Sequence, residues 1–162
     1  MKLYVEDHLP APPSVVWEVF ESDDYKERYR EETGDTLHLL ERRIEGDVEI
    51  QRIRNEPNRE LPGIVARALG AKKLTFTQTN RLNLTESRME WEVKLDVLTD
   101  MVTVKGTTSC IDVGDGTRRV IDGEIKVKVP MLGGQIERLV VGEFEKSMRR
   151  AVDIALEMLE ER

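Results

Sequence analysis

The chain has 162 residues, of which 39% are hydrophobic and 35% charged, with a formal net charge of −7. That length fits one domain spanning residues 1–162, large enough to bury a real core. The basic residues come as scattered pairs, Arg42-Arg43, Lys72-Lys73, Arg118-Arg119 and Arg149-Arg150, each near acidic neighbours, whereas phosphate backbones and anionic membranes are held by clustered positive charge, so neither is an expected partner.

Leu3, Val5 and Leu9 alternate with Lys2, Tyr4, Glu6 and His8, which predicts a strand over Lys2–Leu9. Pro10-Ala11-Pro12-Pro13 breaks it and leads into a helix from Ser14, with Val15, Val16, Val19 and Phe20 on its apolar side and Trp17 beside them. Asp23-Asp24 is the expected cap of a short helix over Tyr25–Glu32, closed by Gly34, and its charge run Glu27–Glu32 reads as a solvated face. From Thr36 the period changes to two: Thr36–Ile44 and Val48–Arg54 are joined by Glu45-Gly46-Asp47, a hairpin turn. Between residues 57 and 70, Leu61-Pro62-Gly63 opens a short helix carrying Ile64, Val65, Ala68 and Leu69, which interrupts the sheet.

Further strands follow. Leu74–Leu84 is threonine-rich and carries Phe76, Gln78 and Asn80; Met89, Trp91, Val93 and Leu95 then alternate cleanly with charged residues, the pattern of a half-buried antiparallel strand. Val102–Val113 places Val102, Val104, Gly106, Thr108 and Cys110 on one face. Gly114-Asp115-Gly116 turns it into Thr117–Val129, where Ile121, Gly123, Ile125 and Val127 share a face. Pro130 ends that strand, and Gly133-Gly134 supplies free backbone for a reversal. From Gln135 to Arg162, apolar residues including Ile136, Val140, Phe144, Met148, Ala151, Val152 and Ala155 recur at helical spacing. At ~1.5 Å rise per residue this helix is roughly 40 Å long, enough to cross the whole domain.

The expected fold is therefore α+β: a curved antiparallel sheet of about seven strands gripping a long C-terminal helix. Gly106 and Gly123 on the sheet, with Ala151 and Ala155 on the helix, leave volume at the seam unless larger neighbours invade it. A cavity is expected there, lined by Phe76, Trp91, Val93, Val104, Gly106, Thr108, Ile121 and Gly123 from the sheet and by Phe144, Met148, Ala151, Val152 and Ala155 from the helix. Arg52, Gln78, Asn80 and Thr108 either point into this space, where they must meet each other, water or a ligand head group, or face solvent through a register shift. Leu61, Ile64, Val65 and Leu69 belong to a segment that is either plain packing or a lid over the mouth.

Three stretches carry a resemblance: the Pro10–Phe20 run after the first strand, Leu61-Pro62-Gly63 with Gly70, and Val129-Pro130-Met131-Leu132-Gly133-Gly134-Gln135-Ile136-Glu137 before the terminal helix. Through them essentially the whole chain resembles the START/pollen-allergen-like helix-grip superfamily, also called SRPBCC. More narrowly, it looks like a bacterial family within it filed as a domain of unknown function. The resemblance implies a seven-stranded antiparallel sheet around the long helix with a hydrophobic pocket between them. It does not imply one chemistry, because lipid carriers, polyketide cyclases, dioxygenase subunits and chaperone activators share the fold.

Motifs for nucleotide phosphates, zinc and dithiol chemistry are absent, and two histidines with one cysteine argue against a Cys/His metal site, so no cofactor, metal or catalytic residue is assigned. The single Cys110, the absence of an apolar signal core after Met1 and of any run near ~18 apolar residues point to a cytoplasmic protein without a membrane span. Three functions remain in competition. The leading one is binding of a hydrophobic small molecule or lipid in the cavity. A polyketide cyclase or aromatase would need an acid-base group from His38, Cys110, Tyr4 or a buried carboxylate; His38 is solvated if Leu37 and Leu39 face the core. An interaction module would instead have a filled core and an exposed apolar patch.

Overall fold

A computed structural model describes residues 1–162. Its elements are β1 (Lys2–Leu9), α1 (Pro13–Glu21), α2 (Asp23–Thr33), β2 (Thr36–Glu45), β3 (Val48–Glu56), α3 (Gly63–Leu69), β4 (Phe76–Asn83), β5 (Arg88–Leu95), β6 (Val102–Asp112), β7 (Thr117–Val127) and α4 (Gly133–Glu160). The strands form one sheet in the order β1-β7-β6-β5-β4-β3-β2, every neighbouring pair antiparallel. The 28-residue α4 lies across its concave face, and no helix is long and apolar enough to cross a membrane.

Local chemistry corrects three expected boundaries. Ser22, not Asp23-Asp24, caps α2: its hydroxyl accepts from the backbone N–H of Tyr25 at 3.2 Å, while the two aspartates sit in the first turn, where the helix dipole favours negative charge. β7 ends at Val127, not Val129. The reversal into α4 is made by Met131 in the left-handed region (φ 68°), with Gly133 and Gly134 already inside the helix. Gly133 is needed for proximity: a Cβ there would stand 2.6 Å from the Val127 carbonyl.

The core is divided. One cluster gathers Leu3, Trp91, Val93, Val104, Ile121 and Ile125 around Ile136 and Val140 at the start of α4. The other gathers Leu9, Val16, Trp17, Val19 and Cys110 around Val152, Ile154, Ala155 and Met158 near its end. Between Val140 and Val152 no α4 residue is fully buried, although Phe144, Met148 and Ala151 face the sheet. An amphipathic helix normally buries its apolar stripe continuously; here the stripe is interrupted because the sheet curves away from it.

Candidate functional site

The interruption is a cavity of about 600 Å³. Its helix wall is Val140, Phe144, Met148 and Ala151, and its sheet wall includes Ile53, Phe76, Gln78, Asn80, Met89 and Thr108. At the buried end stand Trp17, Phe20, Cys110 and Arg119. Exposed Lys26, Arg59, Glu60 and Lys146 mark the mouth. There Arg59 Nη2 meets Glu143 Oε2 at 3.0 Å, joining the segment before α3 to α4 across the lip.

Of the residues expected from sequence to line the space, Phe76, Gln78, Thr108, Phe144, Met148, Ala151 and Leu61 are brought together around it. Others require correction. Gly106 and Gly123 do not border an empty seam, because the Trp91 indole fills it: a Cβ on Gly106 would lie 2.5 Å from Trp91 Cζ2, and one on Gly123 2.7 Å from Cη2. Trp91 in turn stacks on Phe144, forming a floor behind the cavity. Val93, Val104 and Ile121 are packed in the core beside it, and Val152 and Ala155 belong to the far cluster.

Arg52 faces out, its side chain 48% exposed and its guanidinium 3.5 Å from Glu41. The register explains this. Gln51 and Ile53 point inward beside Asn80 and Gln78, so the residue between them points out. In the inserted segment, Val65 and Leu69 anchor α3 in the core and Ile64 is 60% exposed, so the cavity edge is made by the preceding stretch, Pro57, Arg59, Glu60, Leu61 and Pro62.

His38 lies on the outer face, 3.5 Å from Glu56, while its neighbour Leu37 lines the cavity. Tyr4 is exposed and donates to Glu6. Cys110 does reach the cavity, but burial pushes its thiol up to about 12 despite the opposing charge of Arg119.

Two wall features, and the Gln51 member of a third, lack a counterpart in the expectations above, where inward-pointing Gln78 and Asn80 were to meet each other. Tyr25 and Tyr29, one helical turn apart on α2, line the cavity and stack at 6.2 Å, with burial raising both phenols above their ordinary value. Arg119 is 6% exposed; its Nε and Nη2 both donate to Asp7 Oδ2, at 3.1 and 2.6 Å, and its guanidinium lies 4.7 Å from the Phe20 ring centroid. Gln51 joins Asn80 and Gln78 in a chain of side-chain amides. The spacing of the tyrosines and the alternation through Ile121 are the signals that would have found the first two.

A second depression of about 420 Å³ lies on the outer face behind Gly106 and Gly123, walled by Lys2, Arg81, Glu90, Glu92, Lys105 and Glu124. Its mixed charges and lack of apolar wall make it a poor container for an apolar molecule.

Residues 5–159 match the family described as protein of unknown function, DUF2505. The chain belongs to the DUF2505 family. No curated protein matches it. Among solved structures, this DUF2505 chain is similar to a protein of Thermus thermophilus (22% identity, 99% of this chain and 95% of that one covered, TM-score 0.64). It is also similar to the Zhui aromatase/cyclase of a Streptomyces species (14%, 100% and 94%, TM-score 0.70). A third is a START superfamily protein of Mycobacterium smegmatis (15%, 98% and 98%, TM-score 0.63). At these identities the likeness establishes the fold, which is the START-like helix grip expected from the sequence motifs.

Proposed function

We propose that this DUF2505 protein binds an apolar small molecule or lipid in the chamber between the sheet and the middle of α4. The observation that carries the proposal is the half-buried stripe Phe144, Met148 and Ala151 facing a space of about 600 Å³, between two clusters of buried core residues. Interiors are normally close-packed, and ligand sites run ~300–1,000 Å³ with mostly apolar walls and a few placed polar groups. Both descriptions fit here.

The aromatase/cyclase reading receives less support, since His38 and Tyr4 lie outside the chamber, the Cys110 thiol is held protonated and the chamber carboxylate Glu21 is engaged by the Gln51 amide. The interaction-module reading asks for a filled core, and the core is divided. The likeness to the aromatase/cyclase and to the START protein supports a fold able to enclose a ligand and leaves the ligand's identity to the walls.

The test is a titration with the neutral fluorescent probe N-phenyl-1-naphthylamine, alongside native mass spectrometry of the protein as purified. Saturable one-to-one binding with a blue-shifted emission, or a retained organic mass, is expected. Absence of both overturns the proposal.

A further inference from the structure

The chamber contains a directed row of amides. Gln51 Nε2 donates to Glu21 Oε2 at 2.7 Å and to Glu49 Oε2 at 2.8 Å. A carboxylate accepts and does not donate, so this end of the Gln51 amide must be its nitrogen, and the oxygen is turned the other way. That oxygen accepts from Asn80 Nδ2 at 3.4 Å, which turns Asn80 Oδ1 toward Gln78, whose Nε2 donates to it at 2.7 Å. Two carboxylates thus fix the orientation of three amides in succession. The row ends at Gln78 Oε1, which accepts no hydrogen bond from the protein although Gln78 lines the cavity.

The electrostatics point the same way. All three carbonyl ends point away from the carboxylates and along the row toward Gln78, and aligned amides polarise one another in a low-dielectric setting. Arg42 is paired with Glu49 and also feels the charge of Glu21, so two carboxylates share one cation and the foot of the row stays acidic. On the far side of the chamber Arg119 is matched by Asp7. Gln78 Oε1 is therefore a negative, unpartnered acceptor set in an apolar wall, with Ile53 and Val93 on the adjoining strands and Phe76 on its own.

We infer that the ligand of this chamber is an apolar molecule bearing a neutral hydrogen-bond donor, a hydroxyl or N–H, which it gives to Gln78 Oε1. A carboxylate-headed molecule is disfavoured at this position, because its charge would face the carbonyl end of the row. The inference rests on the chamber reading above and adds the chemistry of the head group. Gln51 and Asn80 act as positioning residues, since they hold Gln78 in the orientation that accepts.

The test compares 2-naphthol with 2-methoxynaphthalene, probes of nearly equal size of which only the first can donate. Affinities for both are measured by calorimetry at pH 7 on wild type, Gln78→Met and Gln78→Leu. The readout is the ratio of naphthol to methoxynaphthalene affinity, which removes general hydrophobicity. One hydrogen bond of ordinary net strength predicts that this ratio falls by about three- to tenfold in both variants, which lack the acceptor. An unchanged ratio in either folded variant overturns the inference while leaving the chamber reading intact. Failure of both probes to bind wild-type protein overturns the chamber reading itself and this inference with it. Thermal melts confirm that each variant is folded.

Discussion

The indole of Trp91 and the ring of Phe144 stack with 6.1 Å between centroids and 19° between planes, tying the central strand β5 to the stretch of α4 that the core leaves half-buried. The indole fits because its neighbours along the sheet are Gly106 and Gly123, paired with it in register. Any side chain on Gly106 would meet both the ring and the Asp122 carbonyl, 2.4 Å from the Cβ position. Gly106→Ala is expected to cost about 1–3 kcal/mol by overpacking. Thermal denaturation reads this as a lowered Tm, with part of the loss recovered in the Gly106→Ala/Trp91→Phe double variant.

Arg119 and Asp7 form a pair with side chains only 7% and 16% exposed. Removing one partner strands the other charge in a poorly solvated place, so Asp7→Asn should destabilise by about 3–5 kcal/mol. Replacing both residues with apolar ones of similar volume should cost less than Asp7→Asn alone. Urea unfolding of the two variants makes the comparison, and equal losses would mean the pair is not the reason Arg119 is tolerated inside.

Cys110 yields a pH prediction. Its folded thiol titrates at about 12 against an ordinary value of 9.0, so folding holds the proton more tightly. The contribution is complete below 9.0, and stability falls as pH rises from there toward 12, because the unfolded chain then binds fewer protons. The decline should be shallower in Cys110→Ala; the raised phenols of Tyr25 and Tyr29 add to it in both proteins. With the native thiol held protonated by burial, labelling with iodoacetamide at pH 8 should follow unfolding.

Much of the fold was legible in the chain because the signals were periodic. Alternation in β5, β6 and β7 assigned the inward face, and the stripe of α4 gave its length. The site was less legible, because what fills or empties a space depends on residues distant in sequence. In sequence Gly106 and Gly123 read as missing volume, and the Trp91 indole that fills it comes from a neighbouring strand. Arg52 misled because its strand has Ile50 and Ile53 on opposite parities, so no apolar alternation fixed the register. Arg119 sat on the inward parity all along, but a charged residue reads as surface unless its partner Asp7, more than a hundred positions away, is known.

The Arg59–Glu143 bridge crosses the lip of the chamber with side chains 52% and 33% exposed. An exposed pair contributes at most about 1 kcal/mol, so Arg59→Ala should leave Tm nearly unchanged. It should nevertheless speed release of bound N-phenyl-1-naphthylamine, measured by stopped flow. An unchanged rate would place the route of entry elsewhere.

The central claim is that the space under the middle of α4 holds a ligand, and Ala151→Trp probes it most directly. Ala151 lines the cavity from the helix, so an indole there is directed into the volume a ligand would need. Titrated with N-phenyl-1-naphthylamine, Ala151→Trp is predicted to lose binding by at least about tenfold while its Tm stays level or rises, since filling a cavity adds contacts. Wild-type affinity in a folded Ala151→Trp protein would contradict the account.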